Sequence, residues 1–199
     1  IVGAKWTVSV AAADVSEPCL DLRTGGAAFC RRVLGQAVES AIPGLTVFVD
    51  DPELIQPLAG LPAGSRVIVS GAGAGRLRDT AISLHRHRIL CGIEVSDVRG
   101  LHLADSEGAD FAVVSGLEAG GPTATKTSLV LLQELLGQSA LPVIVRGSLG
   151  PLGAAAACLA GAAGCILDTQ LLLLDWSPIP DELKDRLTNV SPLDTKILG

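Results

Sequence analysis

Four short runs decide the fold: ILCGIEV at 89–95, FAVVS at 111–115, VIV at 143–145 and CIL at 165–167. Each is a strand-type apolar run without the in/out alternation of a half-solvated strand. Strands covered on both faces read this way, as in a parallel sheet flanked by helices. Between the runs lie Ser96–Glu107, Ser128–Gly137 and Leu152–Gly161, helix-like in length and composition. Regular alternation of this kind predicts parallel β/α units. The pattern extends backwards through a helix at Ala27–Ser40, strand Leu45–Val49, a short helix opened by Asp51-Pro52, and strand Arg66–Ser70. Ile1–Val10 and Pro18–Leu22 supply two more strands. The expected architecture is a TIM-type (β/α)8 barrel, and 199 residues sit at the small limit of its ~200–400-residue range.

One corner resists the pattern. Ala11–Glu17 is too short for a parallel crossover, which usually needs a dozen or more residues. The first β/α unit is therefore expected to be shortened or incomplete. Residues 1–190 read as a single barrel domain and 191–199 as a linker or tail. Leu171–Leu174 is expected to pack as the final helix against the barrel, with Asp181–Leu187 as a further amphipathic helix.

The composition agrees with a packed barrel: 48% apolar residues, 23 glycines and only 3% aromatics suit a Val, Ile, Leu and Ala core. A net charge of −6 offers no basic footprint for nucleic acid. No window reaches ~18 uncharged apolar residues, so no membrane span is expected. The five cysteines show no metal spacing. Cys91, Cys158 and Cys165 fall within the strand and helix patterns and read as small buried hydrophobes, reduced in a cytoplasmic protein. Ile1, without an initiator Met or a charged leader, suggests a domain of a longer chain.

In parallel β/α folds the chemistry sits at the carboxyl ends of the strands. Two of those ends are loaded: Gly116-Leu117-Glu118-Ala119-Gly120-Gly121, and Arg146-Gly147-Ser148-Leu149-Gly150. Gly147 lets backbone approach a ligand, and the next helix can aim its N–H groups at an anion. The turn after the eighth strand, Asp168-Thr169, is its partner in the usual barrel phosphate cradle. Asp168 conflicts with that role, because a carboxylate facing a phosphate is repelled unless it turns away or pairs with Arg146. The alternative reading makes both plain rim turns. Glu94 and Ser115, at neighbouring strand ends, can face the barrel mouth, where Glu94 is expected to pair with a rim arginine. Gly71-Ala72-Gly73-Ala74-Gly75 reads as a tight strand-to-helix turn, since Arg76 stands where a dinucleotide loop needs its third glycine. His102, Lys126 and the cluster Arg86-His87-Arg88 read as solvated.

The same residues carry a resemblance. GLEAGG at 116–121, LPVIVRGSLG at 141–150 and GAAGCILDTQ at 161–170 resemble the second half of the nitronate monooxygenase group, over roughly Arg88 to Pro180. That group includes the enoyl reductases of polyunsaturated fatty acid synthases and barrel domains of type I polyketide synthases, and Leu167-Asp168-Thr169-Gln170 and Trp176-Ser177-Pro178-Ile179-Pro180 resemble the closing segment of the polyketide-associated branch. The resemblance implies FMN bound by Glu118, Gly120, Gly121, Gly147, Ser148, Asp168 and Thr169. It also implies oxidoreductase chemistry on an acyl chain presented by an acyl carrier or neighbouring synthase domain. The chain departs from the pattern at Pro122, where the group places its catalytic His. Proline can neither accept nor donate a side-chain proton. No catalytic residue is therefore assigned, and a catalytically inactive barrel serving as scaffold or docking domain stands as the alternative. A third reading, an unrelated phosphate-binding barrel acting on a small metabolite, is weakened by the lack of a visible acid–base pair at the strand ends.

Overall fold

A computed structural model describes residues 5–11, 16–23, 27–71, 74–120, 124–147, 149–167, 169–175, 177 and 179–191. Its eight strands are β1 Lys5–Ala11, β2 Ser16–Asp21, β3 Thr46–Val49, β4 Arg66–Val69, β5 Leu90–Val95, β6 Phe111–Ser115, β7 Val143–Arg146 and β8 Gly164–Leu167. They pair in chain order and the ring closes between β8 and β1. From β2 to β8 every pairing is parallel. The helices are α1 Ala27–Glu39, α2 Ile55–Leu58, α3 Ala74–Arg86, α4 Val98–Ser106, α5 Ser128–Leu135, α6 Pro151–Ala160 and α7 Asp181–Thr188.

The awkward corner has a topological answer. β1 runs antiparallel to both neighbours, from Lys5↔Asp21 to Val10↔Ser16 on one side and from Val8↔Leu167 to Ala11↔Gly164 on the other. Antiparallel strands can be joined by a tight connection, so residues 12–15 suffice where a parallel crossover could not fit. The barrel is thus seven parallel strands closed by one antiparallel strand, and no helix lies between β1 and β2 among the described residues. The shortened first unit is a hairpin.

The parallel register explains why the strands read as unbroken apolar runs. Alternate residues point to opposite faces of the sheet, and here both faces are dry. Outward-pointing Leu20, Val47, Val67, Cys91, Ala112, Val145 and Cys165 pack beneath the helix layer, where Leu34, Leu77, Leu101 and Leu132 meet them. Inward-pointing Cys19, Phe48, Ile68, Phe111, Val113, Ile144 and Ile166 fill the barrel itself. Phe111 needs a glycine opposite: a Cβ on Gly92 would stand 2.3 Å from its ring.

Local signals set most helix limits. Asp97 caps α4 by accepting the Gly100 N–H at 2.7 Å, and Gly108 ends the turn after it at φ +82°. Pro151 occupies the first turn of α6, where its missing N–H does no harm, and Gly161 closes the helix at φ +113°. Gly71, at φ +66°, turns the chain from β4 towards α3. The expected final helix at Leu171–Leu174 is instead a 3-10 turn, Thr169–Leu173, and Leu173 and Leu174 are exposed by 44% and 38%. Few residues separate β8 from Pro178 and Pro180, which cannot continue a helix. The expected tail falls almost wholly outside the described residues. No helix among them is long and apolar enough to cross a membrane.

Candidate functional site at the barrel mouth

The inward positions at the carboxyl end of the barrel are not apolar. The parity that points Cys19 and Phe48 inward brings Asp21 and Arg23 inward at the end of β2, Ser70 after β4, Glu94 on β5, Ser115 on β6 and Arg146 on β7. The side chains of Asp21, Arg23, Glu94 and Arg146 are only 3–6% exposed. A charge in such a place is tolerated only if paired and hydrogen-bonded. These are.

Arg23 grips Asp21 through Nε to Oδ1 at 2.9 Å and Nη2 to Oδ2 at 2.6 Å. Its Nη1 donates to Glu94 Oε2 at 2.7 Å, and Ser70 Oγ donates to that same oxygen at 2.5 Å. Arg146 Nη1 donates to Glu94 Oε1 at 3.0 Å, and Ser115 Oγ donates there too. The same Nη1 reaches the Gly120 carbonyl at 2.7 Å, and Nη2 stands 3.8 Å from Asp21 Oδ2. Both guanidinium groups lie over Phe48, at 4.5 Å and 5.2 Å from its ring centroid. Two cations and two carboxylates cancel.

The electrostatics follow. Burial pushes the Asp21 carboxyl up, but the hydrogen bonds and charge of Arg23, backed by Arg146, outweigh it and hold Asp21 below the ordinary carboxylate value of 3.8. For Arg23, burial works against the cation, yet Asp21 and Glu94 raise its pKa above the ordinary value. Both groups are locked in their charged forms at neutral pH.

The glycine-rich strand ends form a second, structural junction beside this network. Ser128, fully buried at the start of α5, accepts the Gly116 N–H at 3.1 Å and donates to the Arg146 carbonyl at 2.7 Å. Glu118 Oε1 accepts the Ser128 N–H at 2.8 Å, so this carboxylate serves the amino end of α5. A Cβ on Gly116 would stand 2.2 Å from Ser128 N, and one on Gly147, at φ +125°, 2.8 Å from Ser128 Oγ. Close approach does require these glycines, but what approaches is Ser128.

Of the residues expected to hold FMN, Glu118 and Gly147 come together at this junction, and the Gly120 carbonyl faces Arg146 of the network. Thr169 opens the 3-10 turn directly after β8. Gly121, Ser148 and Asp168 lie outside the described residues, as does Pro122. Glu94 and Ser115 do face the mouth, and Glu94 has its rim arginine, in fact two. Arg146 pairs with Glu94. Lys126 is exposed and ion-paired with Glu134 at 2.6 Å, and His102 is exposed with Nε2 3.1 Å from the Gln138 carbonyl. Asp21, Arg23 and Ser70 escaped the sequence reading. The signal was present as an acid inside an apolar strand, with a base two residues on.

A sequence profile of the nitronate monooxygenase family matches residues 54–198. The chain belongs to that family. Over 80 residues the chain is 39% identical to a (3aS,4S,5R,7aS)-5-hydroxy-7a-methyl-1-oxo-octahydro-1H-indene-4-carboxyl-CoA dehydrogenase of Rhodococcus jostii, covering 40% of this chain and 23% of that protein. Among solved structures, a FabK variant from Thermotoga maritima superposes with TM-score 0.73 at 22% identity, covering 86% of this chain and 59% of the other. Nitroalkane oxidase from Streptomyces ansochromogenes gives 0.65 at 20% identity, over 82% and 61%. These two likenesses show the shared barrel. The chain spans less than a quarter of the dehydrogenase and about three fifths of either structural neighbour.

The flavin that the resemblance implies would lie across the mouth. The described residues there, which do not include Gly121, Ser148 or Asp168, do not fit one. The four charged side chains are covered to 94–97% by protein alone. Their donors and acceptors face one another, and the Gly120 carbonyl is taken by Arg146. At Gly147 even a Cβ would meet Ser128 and Ala119.

Proposed function

We propose that this chain is a nitronate monooxygenase-family barrel that works without flavin, as a structural or docking domain of a polyketide- or fatty-acid-type synthase. The observation that carries this reading is the sealed, neutral network of Asp21, Arg23, Glu94 and Arg146 at the barrel mouth. General acid–base catalysis needs a group that can exchange a proton with substrate near the working pH. Here Asp21 is held ionised by Arg23, and both Glu94 oxygens are occupied by donors. The sequence adds Pro122 where relatives of this type carry their base. Loss of chemistry with retention of the fold agrees with the rule that function lives in the site and not in the architecture.

A second reading is an FMN-dependent oxidoreductase acting on an acyl thioester, with the acyl chain delivered by a carrier or a neighbouring domain. The family match and the likeness to a carboxyl-CoA dehydrogenase favour it. It requires the mouth to open and Asp168 to turn from the phosphate. The two readings separate in one assay: NAD(P)H oxidation with an enoyl thioester, and oxygen uptake with a nitronate, each with FMN added. The structural reading expects no turnover above the protein-free flavin blank. Saturable, enzyme-proportional turnover with either substrate would overturn it. Asp168→Gly adds a discriminator, since restored yellow protein would mean that a flavin pocket survives behind a single unfavourable charge.

A further inference from the structure

α6 is the least anchored of the longer helices. Of its ten residues only Ala157 is buried, while Leu152 and Leu159 are exposed by 87% and 90%. What it turns towards the sheet is small: alanines and the half-buried Cys158, which packs against the core cluster that includes buried Cys165 of β8. Cys165 Sγ donates to the Ala154 carbonyl at 3.6 Å. Residue 154 is one helical turn before Cys158 on the same face, so its carbonyl is the intrahelical acceptor for the Cys158 N–H. The thiol of Cys165 therefore stands against the turn that carries Cys158. Cys158 is near enough to Cys165 to raise the pKa of its thiol. Cys19, Cys30 and Cys91 are buried elsewhere in the fold, and all five cysteines are free.

We propose that Cys158 and Cys165 are a redox pair that closes to a disulfide under peroxide and staples α6 to β8. Cys158, the half-buried member, meets the oxidant first. Its sulfur attacks one peroxide oxygen, the O–O bond breaks, a sulfenic acid forms, and the departing hydroxide takes up the Cys158 thiol proton and leaves as one water. The sulfur of Cys165 then attacks the Cys158 sulfur; the S–S bond forms, and the hydroxyl leaves with the Cys165 proton as a second water. Two thiols lose two electrons and two protons, and hydrogen peroxide is reduced to two waters. Burial, then neighbouring Cys158, pushes the Cys165 thiol up to about 12. That makes it a poor first nucleophile and assigns it the resolving role.

The sequence provides a clean readout. No Lys or Arg lies between Arg146 and Lys184, so trypsin releases Gly147–Lys184 as one peptide containing these two cysteines and no other. The native domain is treated with hydrogen peroxide, blocked with iodoacetamide, digested without reductant and weighed. The expected peptide is two hydrogens lighter than the dithiol and carries no alkyl group. Dithiothreitol before blocking restores both alkylation sites. In Cys165→Ser, Cys158 should be trapped by dimedone as the sulfenic acid. In Cys158→Ala, which changes only a half-buried side chain, Cys165 should remain an intact thiol. Full alkylation of both cysteines after peroxide, linkage of either to another cysteine, or irreversible oxidation in place of the bridge would each overturn the proposal.

Discussion

Arg23→Met tests the mouth network at its centre. Methionine keeps an apolar stem over Phe48 and removes the guanidinium that makes two hydrogen bonds to Asp21 and one to Glu94. Asp21 then keeps the residue-23 N–H at 3.1 Å and Arg146 at 3.8 Å. Breaking a buried ion pair by removing one partner costs about 3–5 kcal/mol, because the remaining charge stays buried and uncompensated. In a chain of this size each kcal/mol lowers Tm by roughly 2–4 °C, so the drop at pH 7 should be about 6–20 °C. The pH dependence has a definite sign. In the wild type the folded pKa of Asp21 is depressed, so its contribution is present above the unfolded value near ~3.9 and is lost as pH falls through the folded one. In the variant, burial dominates and the folded pKa lies above the unfolded one, so the variant gains stability on acidification. The gap between the two proteins should therefore narrow as pH falls from 7 towards 4. Urea and thermal unfolding followed by circular dichroism measure it. A loss below about 1 kcal/mol at pH 7, or a gap that does not shrink with acid, would refute the reasoning.

Three further outcomes follow from packing and hydrogen bonding. Gly92→Ala would force the Phe111 ring aside and should cost about 1–3 kcal/mol, with part recovered in the double variant with Phe111→Leu; equal losses in both would place the strain elsewhere. Ser128→Ala leaves the Gly116 N–H and the Arg146 carbonyl without their buried partner, at about 1–3 kcal/mol each, measurable as a lower urea midpoint at unchanged slope. Leu159→Gln, at a site 90% exposed, should leave the isolated domain within roughly 0.5 kcal/mol of wild type. A larger loss there would show that this face of α6 is packed.

Much of the barrel was legible because its strands obey one rule over and over. Phe111–Ser115 was read to the residue, and β5, β7 and β8 were placed to within a residue at one end, since continuous apolar runs between glycine turns have few other interpretations. The direction of β1 was not legible. A short strand carries no mark of parallel or antiparallel pairing, and only the length of the connection after it hinted at the hairpin. The site was half visible. Glu94, Ser115 and Arg146 stand at the ends of strands whose positions were clear, so their convergence followed from the fold. Asp21 and Arg23 lie in the segment whose strand directions were not legible, and the bond that pairs Arg23 with Glu94 across 71 residues depends on closing the ring. The roles of Gly116, Gly147 and Glu118 also needed three dimensions. Nothing in their spacing says that the object nestled against them is Ser128.

The most direct measurement is a titration of the purified domain with FMN, followed by quenching of flavin fluorescence and checked by equilibrium dialysis. A mouth sealed by its own ion pairs is expected to give no saturable binding and a colourless protein. One-to-one saturation with a perturbed flavin spectrum would contradict the account and return the chain to the flavin oxidoreductases.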